Sequence, residues 1–164
     1  MAFRGYVAAS TNKKVLVRRY DRETLAGHVN PAAYLQPEGV ELVTTQGNVL
    51  VVPYPDVKTV AFVRDFESSE PERQVFQTRP KMQGLWVTLL FRDGDRMEGI
   101  IPNNLMLLEP AGITITPPDP FGNQQRIFVP RTSLASVEVL GVVGSPLKKR
   151  KAKPAAPDQI GLFE

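Results

Sequence analysis

Residues 15–29, "VLVRRYDRETLAGHV", and residues 87–101, "VTLLFRDGDRMEGII", repeat one pattern. At a constant offset Val15 lies over Val87, Val17 over Leu89, Asp21 over Asp93, Leu25 over Met97 and Gly27 over Gly99. Further out, "VELV" (40–43) lies over "ITIT" (113–116), and "VLVVPYPDVKTVAFV" (49–63) over "RIFVPRTSLASVEVL" (126–140). The second alignment pairs Pro53 with Pro130, Val57 with Leu134 and Val60 with Val137, and an insertion near "PPDPFGN" (117–123) changes the offset. Agreement over so many positions indicates two copies of one supersecondary unit.

Each copy reads as five short strands. Val15/Val17 and Val87/Leu89/Phe91 alternate with period two, and β-branched residues dominate the later segments. Asp93-Gly94 marks a tight hairpin in which glycine supplies a positive φ, whereas the aligned Arg22 is expected to need none. Gly27 and Gly99 fall inside second strands, where a missing side chain marks a sharp bend. Pro53 and Pro130 cannot donate to a ladder, so each should end a fourth strand and start a short turn. Five bent antiparallel strands in so short a segment predict a small barrel in each copy, with the two barrels packed together. The organisation expected is a first barrel over 12–65, a polar linker over 66–83, a second barrel over 84–144 and a disordered basic tail over 145–164.

Charge divides along the same lines. Residues 148–164 carry five basic residues against Asp158 and Glu164, which accounts for the whole formal net charge of +3 and leaves 1–147 neutral. A neutral body has no electrostatic footprint for nucleic acid, while Lys148, Lys149, Arg150 and Lys151 on a flexible tail suit weak, non-specific phosphate contact. Ala, Pro and Lys in the tail cannot build a packed core. Hydrophobic residues make up 42% of the chain, enough for a folded body, and no run approaches the ~18 apolar residues of a membrane span. The start "MAFRGYVAASTNKK" lacks the apolar stretch of a secretory signal, so a cytoplasmic location is expected. The absence of cysteine removes disulfides, thiolate metal sites and a thiol nucleophile together.

Candidate chemistry is sparse. His28 is the single histidine, so no histidine-rich metal site can form, and its place beside Gly27 suggests a partly exposed sheet residue. Carboxylates cluster at hairpins and in "RDFESSEPERQ" (64–74), where solvation accounts for them, and no glycine-rich phosphate loop precedes a helical pattern. The cluster Lys13, Lys14, Arg18, Arg19 and Arg22 offers phosphate contacts, but Asp21 and Glu23 interrupt it, and basic residues along an exposed strand also guard against edge pairing. No catalytic residue, cofactor or metal is expected.

Three resemblances add to this reading. "VTLLFRDGDRMEGIIPNNLMLLEP" (87–110) resembles the first half of an Sm-like barrel, an architecture it shares with SH3-like barrels. Sm-like proteins bind RNA through polar residues after strand two and a basic residue before strand five. The resemblance therefore implies Asn103, Asn104 and Arg131 as RNA contacts, although "VPYPD" and "VPRTS" replace the family's Arg-Gly signature. "VKTVAFVRDFE" and "PPDPFGNQQRIFVP" resemble segments of uncharacterised bacterial proteins, some of which occur beside cyclic-dinucleotide-binding domains. Arg18 and Arg22 have the arginine spacing of such a domain, but its Asp/Asn-x-Ser-x-x-Gly strand is absent. "QIGLF" (159–163) resembles the pentapeptide by which bacterial polymerases and repair proteins bind the replication sliding clamp. That likeness implies Gln159 at a pocket rim, Ile160 on its wall, and Leu162 with Phe163 filling it. The expectation is a non-catalytic all-β adaptor with tandem Sm/SH3-like barrels and a clamp-binding tail; the alternative is an Sm-like RNA-binding protein.

Overall fold

A computed structural model describes residues 12–144, and every regular element among them is a strand or a single 3-10 turn. The first copy supplies β1 (Lys13–Arg19), β2 (Thr24–Val29), β3 (Gly39–Thr44), β4 (Val49–Pro53) and β5 (Val57–Val63). The second supplies β6 (Gly84–Phe91), β7 (Arg96–Ile101), β8 (Gly112–Ile115), β9 (Gln124–Pro130) and β10 (Leu134–Val143). The chain is all-β. Pro53 and Pro130 each close a fourth strand and lead into 3-10 turns at Tyr54–Asp56 and Arg131–Ser133.

Glycines explain why corresponding strands cross so closely. A Cβ on Gly27 would overlap the carbonyl oxygen of Val43, and one on Gly99 would press into Ile115 and the carbonyl of Thr116. Gly39 and Gly112 repeat the device one strand later, against the carbonyls of Val52 and Val129. The aligned backbone lies too near in both copies for any side chain.

The expectation of two closed barrels does not hold. Seven strands form one open sheet in the order β4-β3-β2-β1-β5-β9-β8, and three form another in the order β10-β6-β7. The reason is competition for β5. One edge of β5 holds β1, and the other is taken by β9 of the second copy, so β4 has no partner on which to close. The two sheets meet at the isolated bridge between Ile100 and Thr116, whose amides donate to each other's carbonyls at 3.0 and 2.9 Å.

Sharing β5 and β9 also joins the interior. Val60 and Phe62 of β5, with Phe128 of β9, belong to a core that includes Val15, Val17 and Tyr34. The alternate residues Ala61 and Val63, with Ile127 and Val129, belong to a second core around Val87, Leu89 and Phe91. Because side chains alternate across a strand, β5 is buried on both faces, which explains its nearly continuous apolar sequence. Burial of Phe128 alone is worth about 1.5–3 kcal/mol.

Candidate functional site

A cluster of polar contacts ties the two copies together close to the seam where β5 meets β9. Lys58 of β5 reaches across to the hairpin of the second copy, with Nζ 2.7 Å from Asp93 Oδ2 and also bonded to Asp95. Burial alone would lower the Lys58 pKa, but hydrogen bonds to Asp93 and Asp95 outweigh it and the net shift is upward. The hydrogen bond from Lys58 holds the Asp93 carboxyl below the usual range. Alongside, the Tyr20 hydroxyl lies 2.5 Å from Ser133 Oγ, which itself donates to the Lys58 carbonyl at 3.0 Å. The Arg92 guanidinium stacks 3.8 Å from the centre of the Tyr20 ring and donates to the Pro55 carbonyl at 2.7 Å. These groups satisfy one another and fix the two copies in a single orientation.

Beside this polar clamp lies a cleft of about 500 Å³. Its walls are matching segments of the two copies: Leu35 and Pro37 face Pro110 and Ala111, while Tyr54 and Arg131 contribute from aligned turns. The Tyr54 hydroxyl donates to the Gln36 carbonyl at 2.5 Å, and burial, then the charges of Glu109 and Glu38, raise its pKa. Arg131 Nε is 3.5 Å from the Pro110 carbonyl oxygen, which aims the guanidinium along the cleft wall. Glu109, Gln36 and Thr132 complete the lining, so the cleft is a largely apolar strip that carries one cation and one carboxylate.

The residues expected as RNA contacts take different local roles. Arg131 lines the cleft, but Asn103 and Asn104 are not among the residues around it. Asn104 caps the 3-10 turn Leu105–Leu107, its side-chain oxygen accepting from the Met106 amide at 3.0 Å, and Asn103 is exposed. The basic residues of β1 are largely engaged: Arg18 with Glu72 at 2.5 Å, Arg19 with Asp21 at 3.4 Å, and Lys14 with the Arg64 carbonyl at 3.3 Å. His28 is half-buried, its ring edge-on to Phe66 with centroids 5.5 Å apart. Lys148, Lys149, Arg150, Lys151, Gln159, Ile160, Leu162 and Phe163 lie outside the described residues.

Two further features lie away from the cleft. The 66–83 segment does not simply connect the copies, because Phe76 lies edge-on to Trp86 at 6.2 Å, and both the Phe76 amide and Trp86 Nε1 donate to Glu98 Oε1 at 3.1 Å. The turn at 105–107 and the adjoining Leu108 expose four large apolar side chains in a row. Their sequence, "LMLL", carried that signal, but an apolar run after a polar loop reads equally well as a buried strand. Among the described residues no group of three or more His, Cys, Asp or Glu side chains converges, and no helix is long and apolar enough to cross a membrane.

No curated protein and no solved structure matches this chain. A family model described as "Family of unknown function (DUF6982)" matches residues 11–141, a span covering both copies from β1 into β10, and the protein belongs to that family.

Proposed function

We propose that the protein is a non-catalytic adaptor, in which Sm/SH3-like repeats form a scaffold and residues 159–163 present a peptide ligand to the bacterial sliding clamp. The observation that carries this reading is the run Gln159, Ile160, Gly161, Leu162, Phe163, which puts an amide, an aliphatic anchor and an aliphatic-aromatic pair in the order a hydrophobic clamp pocket accepts. Adjacent apolar anchors in a short peptide concentrate binding energy in a few buried contacts. The cross-copy hydrogen bonds support a rigid scaffold role for the body, since they are met within the chain. Cytoplasmic placement belongs to the same proposal.

Isothermal titration of purified bacterial clamp with the full chain and with its Leu162→Ala/Phe163→Ala variant tests the reading. Saturable binding lost in the variant supports it, and no heat with either protein would end it. RNA recovered with the full chain from a lysate, without the clamp, would favour the Sm-like RNA reading instead.

A further inference from the structure

Among the described residues thirteen large apolar side chains stand exposed, and eleven of them lie in three places: on β4, on β10, and in the 105–108 segment. The internal repeat explains all three. Through the alignment, β10 is the second copy's version of β5 and β4 is the first copy's version of β9; the offset that pairs Val40 with Ile113, kept by the hydrogen bonds that join Gln36 to Gly39 and Gly112 to Glu109, makes Leu107 the counterpart of Tyr34. At the central positions of each pair the member at the seam is buried and its counterpart is exposed. Val60 and Phe62 are 0% and 5% exposed, whereas their counterparts Val137 and Val139 are 40% and 58%. Ile127 and Phe128 are 2% and 0% exposed, whereas Leu50 and Val51 are 38% and 40%. Tyr34 packs edge-on to Phe128 at 6.0 Å and is 7% exposed; Leu107 is 61% exposed.

The seam is head-to-tail. A two-fold arrangement of the copies would match the pairing of β5 with β9 by one of β4 with β10. Instead, among the described residues, β4 adjoins only β3, and β10 adjoins only β6. A head-to-tail contact leaves one complementary half at each end, and repeating it joins further units. The two leftover edges are also poorly guarded. β4 reads VLVVP with no charge, and β10 carries a single charged residue, Glu138.

We propose that β4 of one chain pairs antiparallel with β10 of a second copy of the chain, repeating between molecules the seam that joins the two copies within one. The internal register sets Val60 opposite Phe128, Ala61 opposite Ile127 and Phe62 opposite Arg126. Carried across the repeat, it sets Val137 opposite Val51, Glu138 opposite Leu50 and Val139 opposite Val49. Leu107 then covers Val51 of the neighbouring chain, as Tyr34 covers Phe128. Glu138 takes the position of buried Ala61, so the association is held weak by one carboxylate drawn out of water. Arg79, whose Nη2 donates to the Val142 carbonyl at 2.9 Å, limits the pairing to the first part of β10.

Sedimentation of the full chain from about 10 µM to about 1 mM tests this. The weight-average mass should rise with concentration above the 18.2 kDa of one chain. Val51→Lys and Val139→Lys, both at exposed positions, should each remain monomeric, because each disables a different half of the contact. Mixed one to one they should form a species of twice the single mass, through the one intact pair of edges. Glu138→Ala should tighten self-association at least about tenfold. A chain that stays monomeric throughout, even as Glu138→Ala, would overturn the proposal. So would a dimer indifferent to both lysine variants, or an association abolished by Leu162→Ala/Phe163→Ala, which would place residues 159–163 in the contact instead.

Discussion

Arg22 and Gly94 occupy equivalent hairpins with φ of 73° and 95°, so an arginine holds the left-handed conformation that its counterpart leaves to glycine. The surrounding hydrogen bonds repeat as well. The Arg22 amide donates to the Arg19 carbonyl at 3.2 Å and the Gly94 amide to Phe91 at 2.9 Å. The Glu23 amide reaches Asp21 Oδ1 at 2.9 Å and the Asp95 amide reaches Asp93 Oδ1 at 3.1 Å. The turn is dictated by that hydrogen-bond frame, which Asp21 and Asp93 both supply, and the first copy tolerates the strain.

Arg22→Gly should therefore raise unfolding free energy by roughly 0.5–1 kcal/mol, the relief of left-handed strain exceeding the added freedom of glycine in the unfolded chain. Gly94→Val should lower it by about 1–3 kcal/mol, through conformation alone, since no atom lies within 4 Å of the missing Cβ. Urea titrations of the three proteins check both signs. An Arg22→Gly protein less stable than its parent would mean that the arginine contributes contacts worth more than the strain.

Gly39→Ala and Gly112→Ala should each cost at least about 2 kcal/mol, because the new methyl group meets a carbonyl oxygen of the neighbouring strand rather than a movable side chain. Gly141→Ala is the control. Its Cβ would come no nearer than 3.9 Å to Trp86, and its melting temperature should barely change.

The Lys58 cluster gives stability a definite pH dependence. Asp93 has a lowered pKa, so its contribution is complete above the ordinary carboxyl value of 3.8 and is lost as pH falls through the lower folded value. Lys58 has a raised pKa, so its contribution is complete below 10.5 and is lost as pH rises through the higher folded value. Asp93→Asn should cost under about 1 kcal/mol at neutral pH, given the partial exposure of the pair, and nothing in strong acid. Chemical denaturation at several pH values follows this convergence; a difference that persists in acid would assign the effect to the turn instead of the ion pair.

Under the proposed clamp reading, replacing Lys148, Lys149, Arg150 and Lys151 with glutamine should leave clamp affinity within about twofold at moderate salt and flatten the salt dependence of any DNA or RNA binding. Filter binding at two ionic strengths, beside clamp titration, separates the two effects. Loss of clamp binding with the glutamines would transfer the recognition from Leu162 and Phe163 to the basic run.

The repeat was legible because the residues that define it are constrained locally. Pro53 and Pro130 end their strands as expected, while Gly27 and Gly99, expected to mark a sharp bend, instead admit the close approach of a neighbouring strand. Partner choice was not legible. Nothing in Val60 or Phe62 distinguishes a strand that closes on its own copy from one that pairs with the other, because β5 is apolar on both faces under either arrangement. Arg22 hid its turn for a related reason: a left-handed residue is recognised in sequence by glycine or asparagine, and arginine gives no such sign. The candidate cleft escaped notice because Leu35, Pro37, Pro110 and Arg131 are distant in the chain and meet only across the seam.

A strand owned by two interiors has a thermodynamic corollary. Neither half can melt while the other persists intact, because withdrawing β5 strips Ala61 and Val63 from one core and Val60 and Phe62 from the other. Heating should accordingly give one calorimetric peak with equal van't Hoff and calorimetric enthalpies, in a protein whose sequence looks like two modules. Duplication here has produced a single cooperative unit, in which a destabilising substitution near the amino terminus of the first copy is felt at the last strand of the second.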